Sequence, residues 1–188
     1  MNLVFFLEEP SAEALLKELL PTLIVGKNVN VHYYKFQGKQ DLDKNLARRL
    51  RYWQEPDTAF IILRDQDAND CRVVKRKLNA LCKSSDKRYL IRIACRELES
   101  FYFGDLTAVE QALAVKVAHF SRKRRYRESD NIINPAGELT RITNGKYQKI
   151  AGSRTIGKIL RSRVAANTSP SFHALIDGIR KIITGGAT

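Results

Sequence analysis

The stretch AFIILRDQDAND, residues 59–70, joins five consecutive apolar residues to an Asp-x-Asp pair and a polar turn. A run that short and that apolar suits a strand buried on both faces, as in a parallel sheet covered by helices. The neighbouring sequence supplies such helices. Asp70 to Cys82 places Val73, Val74, Leu78 and Leu81 at helical spacing, and Asp41 to Trp53 does the same with Leu42, Leu46, Leu50 and Trp53. Arg48, Arg49 and Arg51 fall off that second stripe, so the helix should lay one apolar face on a sheet.

Working towards the N-terminus, Val29 to Phe36 is rich in β-branched and aromatic residues and reads as a strand, broken at Gly38. Residues 3 to 7, LVFFL, form another continuous apolar strand that stops at Glu8-Glu9-Pro10-Ser11. A helix is expected next, capped by Ser11, carrying Ala14, Leu15, Leu19 and Leu20 on one face and ended by Pro21. Towards the C-terminus, Tyr89 to Ala94 reads as a fourth strand, with a helix beginning between Glu97 and Phe103. Strand and helix alternate, which predicts an α/β domain with a largely parallel sheet flanked by helices.

Beyond residue 105 the alternation fades. Ser121 to Asp130 (SRKRRYRESD) reads as a charged loop or helix end, Asn131 to Gly157 holds several Gly, Asn and Pro breaks, and residues 172 to 183 form a last amphipathic helix. The expected division is a core of residues 1–105 and a basic helical and loop extension, residues 106–188, packed on it.

Three of the four strands end in carboxylates: Glu8-Glu9, Asp65-x-Asp67 and Glu97-x-Glu99. In a parallel sheet those ends face one crevice. Carboxylates gathered there raise each other's pKa unless a cation neutralises them, and oxygen-only ligands favour Mg2+ or Mn2+. Each pair alone has a plainer reading, as acids that favour the positive N-terminal end of the next helix. Their joint occurrence makes Glu8, Glu9, Asp65, Asp67, Glu97 and Glu99 the candidate metal ligands.

LVFFLEEPSAEALLKELLP (3–21), AFIILRDQDANDC (59–71) and LIRIACRELESFYFGD (90–105) resemble the successive motifs of the Toprim fold, shared by topoisomerases, primases and the overcoming-lysogenisation-defect nucleases. With YQKIAGSRTIG (147–157) they resemble more closely the bacterial Toprim-like family called domain of unknown function 4276, over almost the whole chain. The resemblance implies a Toprim-like, that is Rossmann-like, fold and metal-dependent nuclease chemistry. It places the family glutamate on Glu8 or Glu9, the family Asp-x-Asp on Asp65 and Asp67, and a further acid of the related nucleases on Glu97 or Glu99. Two departures count against topoisomerase-like strand passage: Glu9 or Pro10 replaces the glycine after the first glutamate, and no glycine follows Asp67.

The formal charge of +13 is unevenly spread. Residues 1–70 hold 9 basic and 11 acidic side chains, whereas the remainder holds 24 and 9. An acidic first part suits cations and a basic second part suits phosphates, beside the plainer reading of a well-solvated basic surface. Arg122, Lys123, Arg124, Arg125 and Arg127 form one cluster, with Tyr126 between them available to stack on an unpaired base. A second group mixes Lys146, Lys149, Arg154, Lys158, Arg161 and Arg163 with Gly145, Gly152, Ser153 and Gly157. Gly152-Ser153-Arg154 opening a helix would offer main-chain N–H groups, a hydroxyl and a guanidinium to phosphate. The resemblance brings Lys149 and Arg154 towards the active site.

These features point to a nuclease in which Glu9, Asp65, Asp67, Glu99 and Lys149 carry the chemistry, acting on tRNA or DNA. Tyr102 and Tyr147 are conceivable but disfavoured covalent nucleophiles. The GxxxxGK[ST] motif is absent, so any ATP dependence belongs to a separate ATPase partner, which the resemblance associates with bacterial anti-phage defence. A non-catalytic nucleic-acid-binding or partner-binding module on the same scaffold is the rival reading. Cys71, Cys82 and Cys95 match no zinc or disulfide pattern, and His32, His119 and His173 lack ligand spacing. Met1 to Glu9 does not read as a signal peptide, and no stretch is apolar enough to span a bilayer. A cytoplasmic protein is expected, and a homo-oligomer is compatible with it.

Overall fold

The computed structural model describes residues 1–185. Strands β1 (Asn2–Leu7), β2 (Asn30–Lys35), β3 (Thr58–Asp65) and β4 (Arg88–Ala94) form one sheet in the order β2-β1-β3-β4, every pair parallel. Helices α1 (Pro10–Leu23), α2 (Lys39–Arg51) and α3 (Cys71–Lys83) connect them. The short α4 (Ser100–Phe103), α5 (Leu106–Leu113), three 3-10 turns between residues 118 and 131, α6 (Pro135–Ile142), α7 (Lys149–Leu160) and α8 (Pro170–Ile183) complete the fold. The protein is an α/β domain with helices on both sheet faces, as the sequence predicts.

Alternation along the strands divides the core in two. Leu3, Phe5, Leu7, Ile61 and Leu63 meet α1, α4, α5, α7 and α8, while Val4, Phe6, Phe60 and Ile62 meet α2 and α3. The first cluster is continuous from Leu3 to Ile182, so the α/β part and the later helices share one apolar interior. None of the described helices is long and apolar enough to cross a membrane.

Several local expectations are corrected. Glu9, not Ser11, is the N-cap of α1, because Pro10 suits the first helical position; the Ser11 hydroxyl instead donates to Glu9 Oε2 at 3.3 Å. Pro21 does not end α1. Its fixed φ is helical, and the final turn is closed by Ile24 N–H to the Leu20 carbonyl (3.1 Å) and by the Thr22 hydroxyl to the Leu19 carbonyl (2.8 Å). The segment with Gly, Asn and Pro breaks contains two true helices, α6 and α7. Asn134 caps α6 by accepting from Gly137 N–H at 3.0 Å.

Candidate active site at the carboxyl edge of the sheet

The sheet order explains why the acidic residues meet. From β1 the chain moves to β2 on one side, then returns through α2 to β3 on the other, so β1 and β3 flank the topological switch point. Loops diverge there and leave a crevice beyond the strand ends. Leu7 is level with Leu63, which sets Glu8 and Glu9 beside Arg64 and Asp65.

Glu8 is buried and accepts a hydrogen bond from Asp65 N–H at 3.2 Å, tying the end of β1 to that of β3. Arg64 lies beneath, its Nε 3.9 Å from Glu8 and 3.6 Å from Asp43 Oδ1, with Lys77 Nζ on the other Asp43 oxygen at 2.7 Å. Asp67 stands in the left-handed region, φ 56°, and Lys39 Nζ contacts its Oδ2 at 2.8 Å. Glu9 pairs with Lys149 Nζ, 3.2 Å away. Glu99, only 1% exposed, accepts from the Tyr147 hydroxyl at 2.8 Å.

Electrostatics show the crowding. Burial raises the Asp65 carboxyl well above the usual range, and Glu8, Glu99, Glu9 and Asp67 push it the same way. Glu8 and Glu99 are also raised, chiefly by burial; donation from Asp65 N–H moderates the first and Tyr147 the second. Burial opposes charge on Lys149, but Glu99, Glu9 and Asp65 outweigh it and raise its pKa. Lys39 is raised by its bond to Asp67.

Glu97 and Glu99 part company. Glu97 Oε2 accepts Ala136 N–H at 2.9 Å in the first turn of α6, whereas Glu99 turns inward to Tyr147, Lys149 and Asp65. No group of three or more His, Cys, Asp or Glu among the described residues is closed into a metal-ligating set. The carboxylates converge on the crevice, where Glu8, Glu9, Asp67, Glu97 and Glu99 are each held by a lysine, an arginine, a tyrosine or a backbone N–H.

Lys149 opens α7, whose buried face carries Ser153, Ile156 and Leu160 against α1. Arg154 is exposed five residues on, rotated about 140° away around the helix, and Lys158 is exposed on about the opposite side from Lys149. Gly152, Ser153 and Arg154 do not open the helix; Gly152 N–H already donates to the Gln148 carbonyl at 2.6 Å, and the buried Ser153 hydroxyl to the Lys149 carbonyl. The glycines admit protein rather than phosphate. A Cβ on Gly152 would stand 2.5 Å from the Tyr147 ring, and one on Gly157 would stand 3.1 Å from Glu18 Cβ and 3.2 Å from the Leu15 carbonyl.

In the other basic segment, Tyr126 is corrected from base-stacking candidate to core residue. It is buried, stacked on Phe103 at 5.2 Å, and donates to Glu138 at 2.8 Å. Arg125 pairs with Glu138, and Lys123 lies over the Phe120 ring. Arg122, Lys123, Arg124, Arg125 and Arg127 are exposed on or beside two 3-10 turns and pair with none of the crevice carboxylates; Lys146 donates to the Ala114 carbonyl at 3.2 Å.

Residues 7–180 match the sequence model of a family described as domain of unknown function (DUF4276). The chain belongs to this family. No curated protein matches it. Its fold is similar to the C-terminal region of the Xanthomonas campestris pv. campestris OLD protein, 13% identical over 97% of this chain and 93% of that one, with a TM-score of 0.50. The C-terminal region of the Burkholderia pseudomallei OLD protein is 12% identical over 94% of this chain and 98% of that one, with a TM-score of 0.49. The scaffold is Toprim-like.

Three residues of the crevice escape sequence reading, Lys39, Arg64 and Asp43, and so does the depth of the Tyr102–Tyr147 pair. Tyr102 is fully buried, its ring 5.9 Å from that of Tyr147, and its hydroxyl has no hydrogen-bond partner of normal geometry, although Ser153 stands close enough to moderate its pKa. Both phenols are buried from any substrate, and burial raises their pKa far beyond the ordinary tyrosine range with Glu99 adding to each, which disfavours them as nucleophiles. The strand order is the signal for Lys39: β2 borders β1, so the loop after β2 opens on the same crevice.

Proposed function

We propose that this chain is a divalent-metal-dependent nuclease that hydrolyses nucleic-acid phosphodiesters. We further propose that it is the effector of a bacterial anti-phage defence or toxin-like system under a separate ATPase. One observation carries the reading: Glu8, Glu9, Asp65, Asp67 and Glu99 converge at the switch point of the sheet, and a late helix brings Lys149 to them.

Among the described residues the donors are not drawn together into a ligating set, but their chemistry suits Mg2+ or Mn2+. All the candidate donors are oxygens, burial and then the neighbouring carboxylates hold Asp65 well above its usual carboxyl range, and the unpartnered Tyr102 hydroxyl lies near enough to feel Glu99 and Asp65. Asp65, Asp67, Glu8 or Glu9 and Glu99 would hold the ion; Glu97, engaged on α6, is the weaker candidate. A bound divalent ion supplies activation of water and neutralisation of phosphate charge. Lys149 binds a non-bridging phosphate oxygen once Glu9 turns from it, and Lys39 does the same beside Asp67. Where it does not itself hold the ion, Glu99, oriented by Tyr147, accepts a proton from the attacking water. The exposed cations of residues 122–127 with Lys146, Arg154 and Lys158 attract the strand electrostatically. The ATPase role rests on the resemblance to OLD proteins, in which this fold is a C-terminal region of a longer chain.

A second reading has its own support. Asp67 and Glu9 already carry lysine partners, as a non-catalytic binding module would allow. Purified protein incubated with tRNA, single-stranded DNA and duplex DNA, with Mg2+, Mn2+ or EDTA, decides between them. Metal-dependent cleavage abolished by Asp65→Ala plus Asp67→Ala is expected. Absence of cleavage on every substrate, with the ATPase partner added, overturns the nuclease reading, and cleavage surviving the double substitution overturns the site.

A further inference from the structure

A cavity of about 270 Å³ opens beside Asp67. Its walls are the loop after β3 (Asp67, Ala68), the loop after β4 (Arg96, Glu97) and the entry to α6 (Ile133, Asn134, Pro135). Three of these residues, Asp67, Arg96 and Asn134, have φ of 56°, 62° and 53°, in the left-handed region that side chains rarely adopt. Such strain persists where surroundings over-determine it, and here they do. Asp67 N–H donates to the Arg96 carbonyl at 2.7 Å, Arg96 N–H to Gln66 Oε1 at 3.2 Å, and Ala136 N–H to Glu97 at 2.9 Å. The three loops are fastened to one another around the opening.

The lining has two characters. Ile133 is 75% exposed at the lip, beside a buried Ile132, and Pro135 and Ala68 extend the apolar surface. Arg96, Glu97 and Asn134 supply polar groups. A ligand with a flat apolar face, an edge of donors and acceptors, and a tether to the phosphate beside Asp67 satisfies both. A nucleobase is that ligand. A cavity of this volume accommodates a single base, and a base held in a duplex must leave its stack to enter.

We infer that this cavity receives one unpaired nucleobase next to the phosphate held at the acidic crevice, so that the substrate is engaged as a single strand. The inference rests on the nuclease reading for its cleavage arm and is independent of it for its binding arm. In the first arm, the cut is mapped on a single-stranded oligonucleotide, which is then prepared as a duplex and with an abasic residue at each position flanking the cut. Faster cleavage of the single strand and a fall in kcat/KM of at least about fivefold at one abasic position are expected. Equal rates on duplex and abasic strands overturn the inference and leave the nuclease intact.

In the second arm, single strands carrying 2-aminopurine are titrated in EDTA against wild type and Ile133→Asp, a surface change whose folding is checked by Tm. A fluorescence change on binding to wild type, weakened at least about fivefold in the variant, is expected. That result without any cleavage supports the base site while the nuclease reading fails. A response indifferent to Ile133, or no binding at all, overturns the base site.

Discussion

Tyr147→Phe isolates one bond at the heart of the crevice. The ring packs over Gly152 and lies 5.9 Å from Tyr102, and phenylalanine keeps that packing. What is lost is the 2.8 Å donation to Glu99, a carboxylate 1% exposed. A hydrogen bond to a charged group contributes about 1.5–3 kcal/mol, and a neutral one about 0.5–1.5 kcal/mol. For a chain of this size each kcal/mol moves Tm by about 2–4 °C, so the variant should melt about 3–12 °C lower where Glu99 is ionised.

The sign with pH follows from Glu99. Burial raises its folded pKa, so the protein loses stability as pH climbs from the ordinary glutamate value through the folded one. Removing the Tyr147 donor raises that pKa further, so the deficit of the variant must widen with pH across this window. Urea denaturation of wild type, Tyr147→Phe, Glu99→Gln and the double variant at two pH values completes the cycle. A deficit that is independent of pH and undiminished in the Glu99→Gln background would refute the coupling.

Asp65→Asn should stabilise the metal-free protein while abolishing cleavage: Asp65 has a folded pKa well above its ordinary value, so wild type loses stability as pH rises between the two, and the amide removes that slope. Denaturation midpoints at acid and neutral pH check it, and an unchanged slope sinks it. Gly157→Leu should destabilise by about 1–3 kcal/mol, because even a Cβ there meets Glu18 and the Leu15 carbonyl at 3.1 and 3.2 Å. A Tm equal to wild type would show that α1 and α7 can separate freely.

Fold and site differ in how far the sequence discloses them. The strands are legible because each is a short apolar run stopped by charge, and Asp65-x-Asp67 is legible because it follows the most apolar of them. Ser153 and Gly152 mislead for a physical reason: small residues mixed with cations suit phosphate binding, yet equally suit a helix pressed against its neighbours, and only the packing of α7 on α1 and of Gly152 on the Tyr147 ring decides between them. Tyr126 misleads in the same way, since an aromatic among arginines reads as a stacking platform until Phe103 and Glu138 are seen to hold it inside. Lys39 and Arg64 stay hidden because their meaning lies in which strands are neighbours, and strand order leaves no periodic trace in the chain.

The charge balance of the crevice constrains how an ion would enter. Among the described residues, Glu8, Glu9, Asp43, Asp65, Asp67 and Glu99 meet Arg64, Lys39, Lys77 and Lys149, so six carboxylates when ionised exceed these four cations by two charges. On the proposed reading, one divalent ion restores balance without a nucleic acid. A second would leave an excess of positive charge in a half-buried site, a state that becomes favourable only when phosphate arrives. Calorimetric titration of the nucleic-acid-free protein with Mn2+ should therefore give one ion per chain, with Tm rising by an amount equivalent to about 2.7 kcal/mol at a hundredfold excess over Kd. Asp65→Ala plus Asp67→Ala should remove both signals. Two ions per chain in the absence of nucleic acid would show that charge balance does not limit occupancy, and the two-ion centre would then have to be built by the carboxylates alone.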